Sequence, residues 1–128
     1  MARVYQHQQD QLHVKSKASG DRSIEVVTLK QSATVYGAGT VVVAEYAADV
    51  ATGLYVDPAA TGIDISAYET VKAAILNDRV DASEANHAAV AIVRDAEVYG
   101  SLTSLDKLAG AELTAVTAAL ADAHVVNR

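Results

Sequence analysis

Residues 37–46 read Gly37-Ala38-Gly39-Thr40-Val41-Val42-Val43-Ala44-Glu45-Tyr46. Consecutive β-branched side chains are stiff at χ1 and pack well on a pleated surface, so residues 40–46 predict a strand. A second such run, Ala33-Thr34-Val35-Tyr36, stands on the other side of Gly37-x-Gly39. Two β-branched runs flanking a glycine turn predict strand, tight turn, strand, and this marks the chain as mainly β.

Downstream of that segment the strand signals continue. Gly53-Leu54-Tyr55-Val56 reads as a short strand after a glycine turn, closed by Asp57-Pro58. Gly62-Ile63-Asp64-Ile65 leads into Tyr68-Glu69-Thr70. Val71-Lys72-Ala73-Ala74-Ile75-Leu76 fits a strand or a short helix; its brevity and the turn-forming Asn77-Asp78 favour the strand. Residues 78–86 are a polar connection. Ala88-Ala89-Val90-Ala91-Ile92-Val93 is a near-continuous apolar run of strand length, the expected centre of the core. Arg94-Asp95-Ala96-Glu97-Val98 is expected to carry the chain out to the surface.

Upstream, Ile24, Val26 and Thr28 alternate with Glu25 and Val27, the pattern of a half-buried strand, so the folded body is expected to start near Ser23. Residues 1–23 are rich in Gln, His, Lys, Ser and Asp, with apolar residues in no helical or strand period. Such a segment buries too little surface to offset its ordering entropy, and we read it as a flexible arm. The last quarter changes character. Thr103 and Asp106 have capping-box spacing. From Ala111, the residues Leu113, Val116, Thr117, Leu120 and His124 recur at helical spacing, with Glu112 favouring the dipole in the first turn. His124-Val125-Val126-Asn127-Arg128 reads as a closing strand. The expected architecture is α+β but mainly β: a small barrel-like or β-clip domain over residues 24–128, one C-terminal helix, and an N-terminal arm.

Composition bounds the chemistry. The 128 residues include 26 Ala and 18 Val but no Phe, Trp or Cys. An aliphatic core of that kind buries modest area per residue, so partner surfaces are expected to supply part of the stability. Without Cys there is no disulfide, thiolate metal site or Cys nucleophile. The formal charge of −6 argues against a nucleic-acid binder of the basic kind, and it is unevenly placed. Residues 1–30 carry a net +2 and residues 31–128 a net −8. No apolar run approaches the roughly 18 residues of a membrane span, and the polar N-terminus lacks a signal-peptide core, so a cytosol-like compartment is expected.

No motif points to catalysis, and no cofactor or metal is expected. His7 and His13 are six apart in the arm; two ligands do not make a structural zinc site, and they read as solvated. Asp78, Asp81 and Glu84 lack the order of a calcium loop and read as a solvated turn. Gly37-x-Gly39 has Val42 where a dinucleotide loop needs its third Gly, and the turn reading is preferred. A small hydrolase using Ser, Asp and His is the weakest functional hypothesis.

Several blocks in order resemble the bacteriophage head decoration proteins of the lambda protein D type. Gly37-Ala38-Gly39-Thr40-Val41-Val42 is similar to that family's turn and strand, and Gly53-Leu54-Tyr55-Val56 to its next strand. Ala73-Ala74-Ile75-Leu76 followed by Asp78-Arg79-Val80-Asp81-Ala82 is similar to a third block. The longest is Ala88-Ala89-Val90-Ala91-Ile92-Val93-Arg94-Asp95-Ala96-Glu97-Val98 with Leu102, where Asp95 replaces a frequent Gly. The Ala-rich helix and His124-Val125-Val126-Asn127-Arg128 fit the family's ending. These blocks span residues 24–128.

The resemblance implies a capsid-stabilising structural protein that trimerises at the three-fold and quasi-three-fold axes of an expanded head. It would sit on the outer surface of the virion after assembly in the host cytoplasm. Its partners would be the major capsid protein and two further copies of itself, with no direct nucleic-acid or membrane contact. The arm is the expected capsid-binding element, through Arg3, Val4, Tyr5, Leu12, Val14, Lys15, Lys17 and Arg22. An alternative is a small β-barrel virion adaptor or receptor-binding module.

Overall fold

The computed structural model describes residues 13–18, 22–60 and 62–128. Among these, eight strands run in the order β1 (Val14–Lys17), β2 (Ile24–Leu29), β3 (Val41–Ala47), β4 (Val50–Val56), β5 (Ala73–Leu76), β6 (His87–Ile92), β7 (Ala96–Val98) and β8 (Val125–Asn127). A single α-helix, α1 (Gly110–Asp122), precedes β8. Strands β2-β4-β3-β5-β6 close into a barrel, and β1-β7-β8 form a separate three-stranded sheet. The expectation of a mainly β, barrel-like domain with one C-terminal helix is met.

The triple valine explains how these layers stack. Val41, Val42 and Val43 are all fully buried although they alternate sides of β3. Val42 points into the barrel, among Val27, Leu29, Ala74, Leu76, Ala89 and Ala91. Val41 and Val43 face the opposite way, with Ile75 and Ile92, onto Val116 and Leu120 of α1 and Val98 and Val125 of the second sheet. A five-stranded barrel is narrow, because diameter falls with strand number, so its interior takes Ala where a larger barrel would take Leu. Ala74, Ala89 and Ala91 face that interior beside Leu29 and Leu76.

The hairpin expected around Gly37-x-Gly39 is absent. Residues 38–39 do turn, with Gly39 at φ +82°, which needs no Cβ there. However, residues 33–35 are not a strand; Tyr36 alone makes an isolated bridge to Val80, with bonds of 2.9 and 2.8 Å. Both edges of β3 are already taken, by β4 and β5. The true hairpin joins β3 to β4 through Ala48 and Asp49, at φ 50° and 65°, the left-handed pair of a two-residue turn. Gly53, read as the turn before a short strand, lies inside β4 at φ +84°, where the register shifts between Ala44 and Tyr46.

Three further expectations are corrected. In β2 the buried residues are Val27 and Leu29, while Val26 is 69% exposed, so the inward phase is opposite to the one predicted. Residues 24–29 contain apolar side chains in both phases, and only pairing with β6 decides between them. The run 88–93 is central in pairing, between β2 and β5, yet Ala88 and Val90 face outward. Arg94 to Val98 does not leave for the surface. Asp95 at φ 51° bends the chain, and β7 becomes the middle strand of the second sheet with Ala96 and Val98 buried.

The C-terminal helix and closing strand are present, but the Thr103–Asp106 spacing does not start the helix, whose N-cap is Ala109 with no side-chain bond. Thr103 caps a 3₁₀ turn, Ser104–Lys107, accepting from Leu105 N at 3.3 Å. Helix α1 follows, and β8 closes the chain parallel to β7. Gly100 abuts the Asn127 side chain with no room for a Cβ, tying the preceding turn to β8.

The β2 register is directly testable. Leu29→Ala, inside the barrel, should cost about 2–5 kcal/mol in denaturant unfolding. Val26→Ala, on the same strand, should stay within about 0.5 kcal/mol. Equal costs at the two positions would refute the observed phase.

Candidate functional site

The binding residues anticipated in the arm divide into two groups. Arg3, Val4, Tyr5 and Leu12 lie outside the described residues, as does His7. Val14, Lys15 and Lys17 stand on β1, and Arg22 lies just before β2. The region read as arm through residue 23 therefore contains a strand. Val14 pairs with Val98, Ser16 with Glu97 and Lys17 with Ala96, with one extra residue, Lys15, bulged between the first two pairs. The bulge puts Lys15 and Ser16 both outward and so erases the alternation that would have revealed β1 in the sequence.

Around this strand the side chains form a polar lattice. Val14 packs under the sheet against the core shared with α1. The Lys15 ammonium stands 6.0 Å from the Tyr99 ring centre. Ser16 Oγ donates to Glu97 Oε2 at 3.3 Å, and Arg128 Nη2 donates to Glu97 Oε1 at 2.7 Å. The Arg128 hydrogen bond holds the Glu97 carboxyl below its usual range. Arg22 faces Asp95 at 3.8 Å with its side chain 68% exposed, a surface pair of little energetic weight. Arg94 donates to the Arg22 carbonyl at 2.6 Å and forms an ion pair with Glu25. The strand's end is tied down as well. Ala18 N donates to Ser23 Oγ at 2.8 Å, and that hydroxyl donates to Asp95 O at 2.8 Å. Lys15 and Lys17 thus stand along β1, an edge strand of its sheet among the described residues, and Arg22 lies beside Asp95 at the start of β7.

His13 departs furthest from its reading as a solvated arm residue. It is 0% exposed. Its carbonyl accepts from Tyr99 N at 2.8 Å, which fixes the chain at the start of β1. Burial pushes the imidazole below its ordinary value of 6.5, opposed by a hydrogen bond to the Leu76 backbone and by the charge of Asp78. No local signal marks this burial: the neighbours Gln11, Leu12 and Lys15 look like any polar linker.

An open cleft beside β1 is lined in part by Ser16, Asp95 and His124. Ser16 is spoken for by Glu97 and Asp95 by Arg22, which is the arrangement of a surface network rather than of a nucleophile oriented by a base. A second cleft, of about 260 Å³, runs between α1 and β8 and is lined mainly by Val98, Leu105, Leu120 and Val125. Asp81 accepts from Ser83 N at 2.9 Å, so it closes a turn within the polar connection.

The structure thus presents a small barrel, an accessory sheet, and a basic edge at the start of the described chain. A family model, bacteriophage lambda head decoration protein D, matches residues 4–126. The chain belongs to that family. The match begins twenty residues before the blocks recognised in the sequence, and so takes in β1 and most of the residues before it. Neither the curated proteins nor the solved structures yielded a significant match. Membership places the protein among structural components of the phage head with a role in capsid decoration. Among the described residues no helix is long and apolar enough to cross a membrane.

The state of His13 has a measurable consequence. Above its ordinary value the imidazole is neutral in both folded and unfolded chains and contributes nothing to pH dependence. As pH falls below about 6.5, the unfolded chain takes up a proton that the folded protein resists, so stability is lost down to the lowered folded value. Between about pH 7.5 and pH 5, the unfolding free energy of the wild type should therefore fall more steeply than that of His13→Gln. Parallel profiles would show that His13 is not held neutral.

Proposed function

We propose that the protein binds as trimers at the three-fold and quasi-three-fold axes of the expanded head and clamps neighbouring major capsid subunits. The observation that carries this reading is the family match across residues 4–126, which embraces the arm as well as the body. The capsid-facing element is the segment before β1, with Arg3, Val4, Tyr5 and Leu12, continued by Lys15 and Lys17 on the accessory sheet and Arg22 just before β2.

Three physical features support it. First, β1 is an edge strand, so a capsid strand paired with the arm can continue along an edge that already exists; main-chain bonds then give affinity with little demand on side-chain sequence. Second, the basic N-terminal region stands on an acidic body, which steers association toward acidic capsid surface and keeps copies from aggregating. Third, three arms on one trimer multiply weak contacts through effective concentration. The chemistry asked of the protein is binding alone. Direct contact with nucleic acid or membrane has no part in this reading, and assembly takes place in the host cytoplasm.

The position of His13 and β1 sets where the arm can be cut. Removing residues 1–12 should leave thermal unfolding nearly unchanged and abolish binding to expanded, undecorated heads in a sedimentation assay. Removing residues 1–22 should also lower the unfolding temperature, because β7 loses one of its two partner strands and the core loses Val14. Full head binding by the shorter truncation would refute the arm's role, and failure of the intact chain to bind would refute the function.

A further inference from the structure

Among the described residues, the two most exposed large hydrophobic side chains lie on two separate surfaces over which no described element packs. One is the outward face of the β2–β6 ladder. Val26 pairs across it with Val90, and Thr28 with Ala88; all four are exposed, Val26 by 69% and Val90 by 37%. That row carries no charge, and the Glu25–Arg94 ion pair at its end neutralises itself. The other is the tip of the β3–β4 hairpin. Beyond the Ala44–Tyr55 pair the barrel is left behind and only two strands continue, Tyr46 opposite Ala51 and Ala47 opposite Val50. Residues 47–51, Ala-Ala-Asp-Val-Ala, are all exposed, Val50 by 67%. Val26 and Val50 are the two most exposed large hydrophobic residues among those described.

A two-stranded ribbon is marginal without cover, so the hairpin tip gains most from a surface to lie on. The identity of that surface follows from symmetry and charge. A ring of three is heterologous: each copy must offer two different patches, one that gives and one that receives. The hairpin tip and the outer face of β2–β6 are two different patches of that kind. With a net charge of −6, copies of the chain repel one another over most of their surface; the β2–β6 row carries no charge and the hairpin tip only Asp49, which can stay in water at the rim while Val50 makes the contact. The accessory sheet, with Lys15 and Lys17 along its edge strand, is left free for the capsid.

We propose that the hairpin tip of one copy, centred on Val50, packs against the β2–β6 face of the next, centred on Val26, and that three such contacts close the ring. This rests on the trimeric reading above and gives it an address.

The native chain has no Cys, so single cysteines report contacts cleanly. Val26→Cys and Val50→Cys both alter exposed side chains and should leave the fold intact by circular dichroism. The variants are treated with a short bismaleimide, separately and mixed, in solution and on saturated heads. The expected result is cross-linked pairs in the mixture and none with either variant alone. A chain carrying both substitutions should give covalent rings of three. Absence of cross-linked pairs from the mixture in both settings would overturn the contact. Cross-links with one variant alone would also overturn it, since a two-fold contact would then bring identical residues together. A chain that cross-links as expected yet does not bind heads would contradict the decoration function and leave the interface standing.

Discussion

The burial of β3 on both faces is the constraint from which the architecture follows. A strand with three consecutive valines, all excluded from water, cannot sit on a sheet with one wet side. Val42 requires a closed interior, which the barrel provides with small side chains. Val41 and Val43 require a second layer, which α1 and the accessory sheet provide together. Each of the remaining elements serves one of those two requirements. Even β1, the first strand of the described chain, contributes Val14 to the outer layer before the chain enters the barrel.

Elements whose identity is local could be read from the sequence, and elements defined by their partners could not. Strands β3, β5 and β6 announce themselves by β-branched or continuous apolar runs, and α1 by its 3.6-residue period. The phase of β2 was illegible because Ile24, Val26, Val27 and Leu29 are apolar in both registers, so the choice belongs to β6. Strand β7 was missed because Asp95 bends the backbone with a residue that is usually a surface marker. The hairpin at Ala48-Asp49 lacks the Asn-Gly or Gly-Gly that normally betrays a turn of its kind. Gly37-x-Gly39 carries a stronger turn signal and attracted the hairpin to the wrong place.

The functional region shows the same division. The positive balance of residues 1–30 is visible as a count, and the structure sets Lys15 and Lys17 along edge strand β1 with Arg22 beside Asp95. That the segment around them is a strand was hidden by the bulge at Lys15. The burial of His13 was hidden because it depends on Tyr99 and Leu76, which are distant in sequence. Among the arm residues, Val14 serves the core while its neighbours face out. Among the described residues the large hydrophobic side chains left exposed are Val26 and Val90 on the barrel, Val50 on the hairpin, and Tyr99 and Val126 by the second sheet, with Val26 and Val50 the most exposed.

Membership of the head decoration family, a lysine-bearing edge strand and exposed apolar patches elsewhere fit the role proposed above, a piece that sits between copies of itself on a lattice. The most direct measurement is an electron-microscopy reconstruction of expanded, undecorated heads mixed with the purified full-length protein. The account predicts three-lobed density on the outer surface at every three-fold and quasi-three-fold position, with the N-terminal sheet against the shell. Density confined to a single vertex, or a shell left bare at saturating protein, would contradict it.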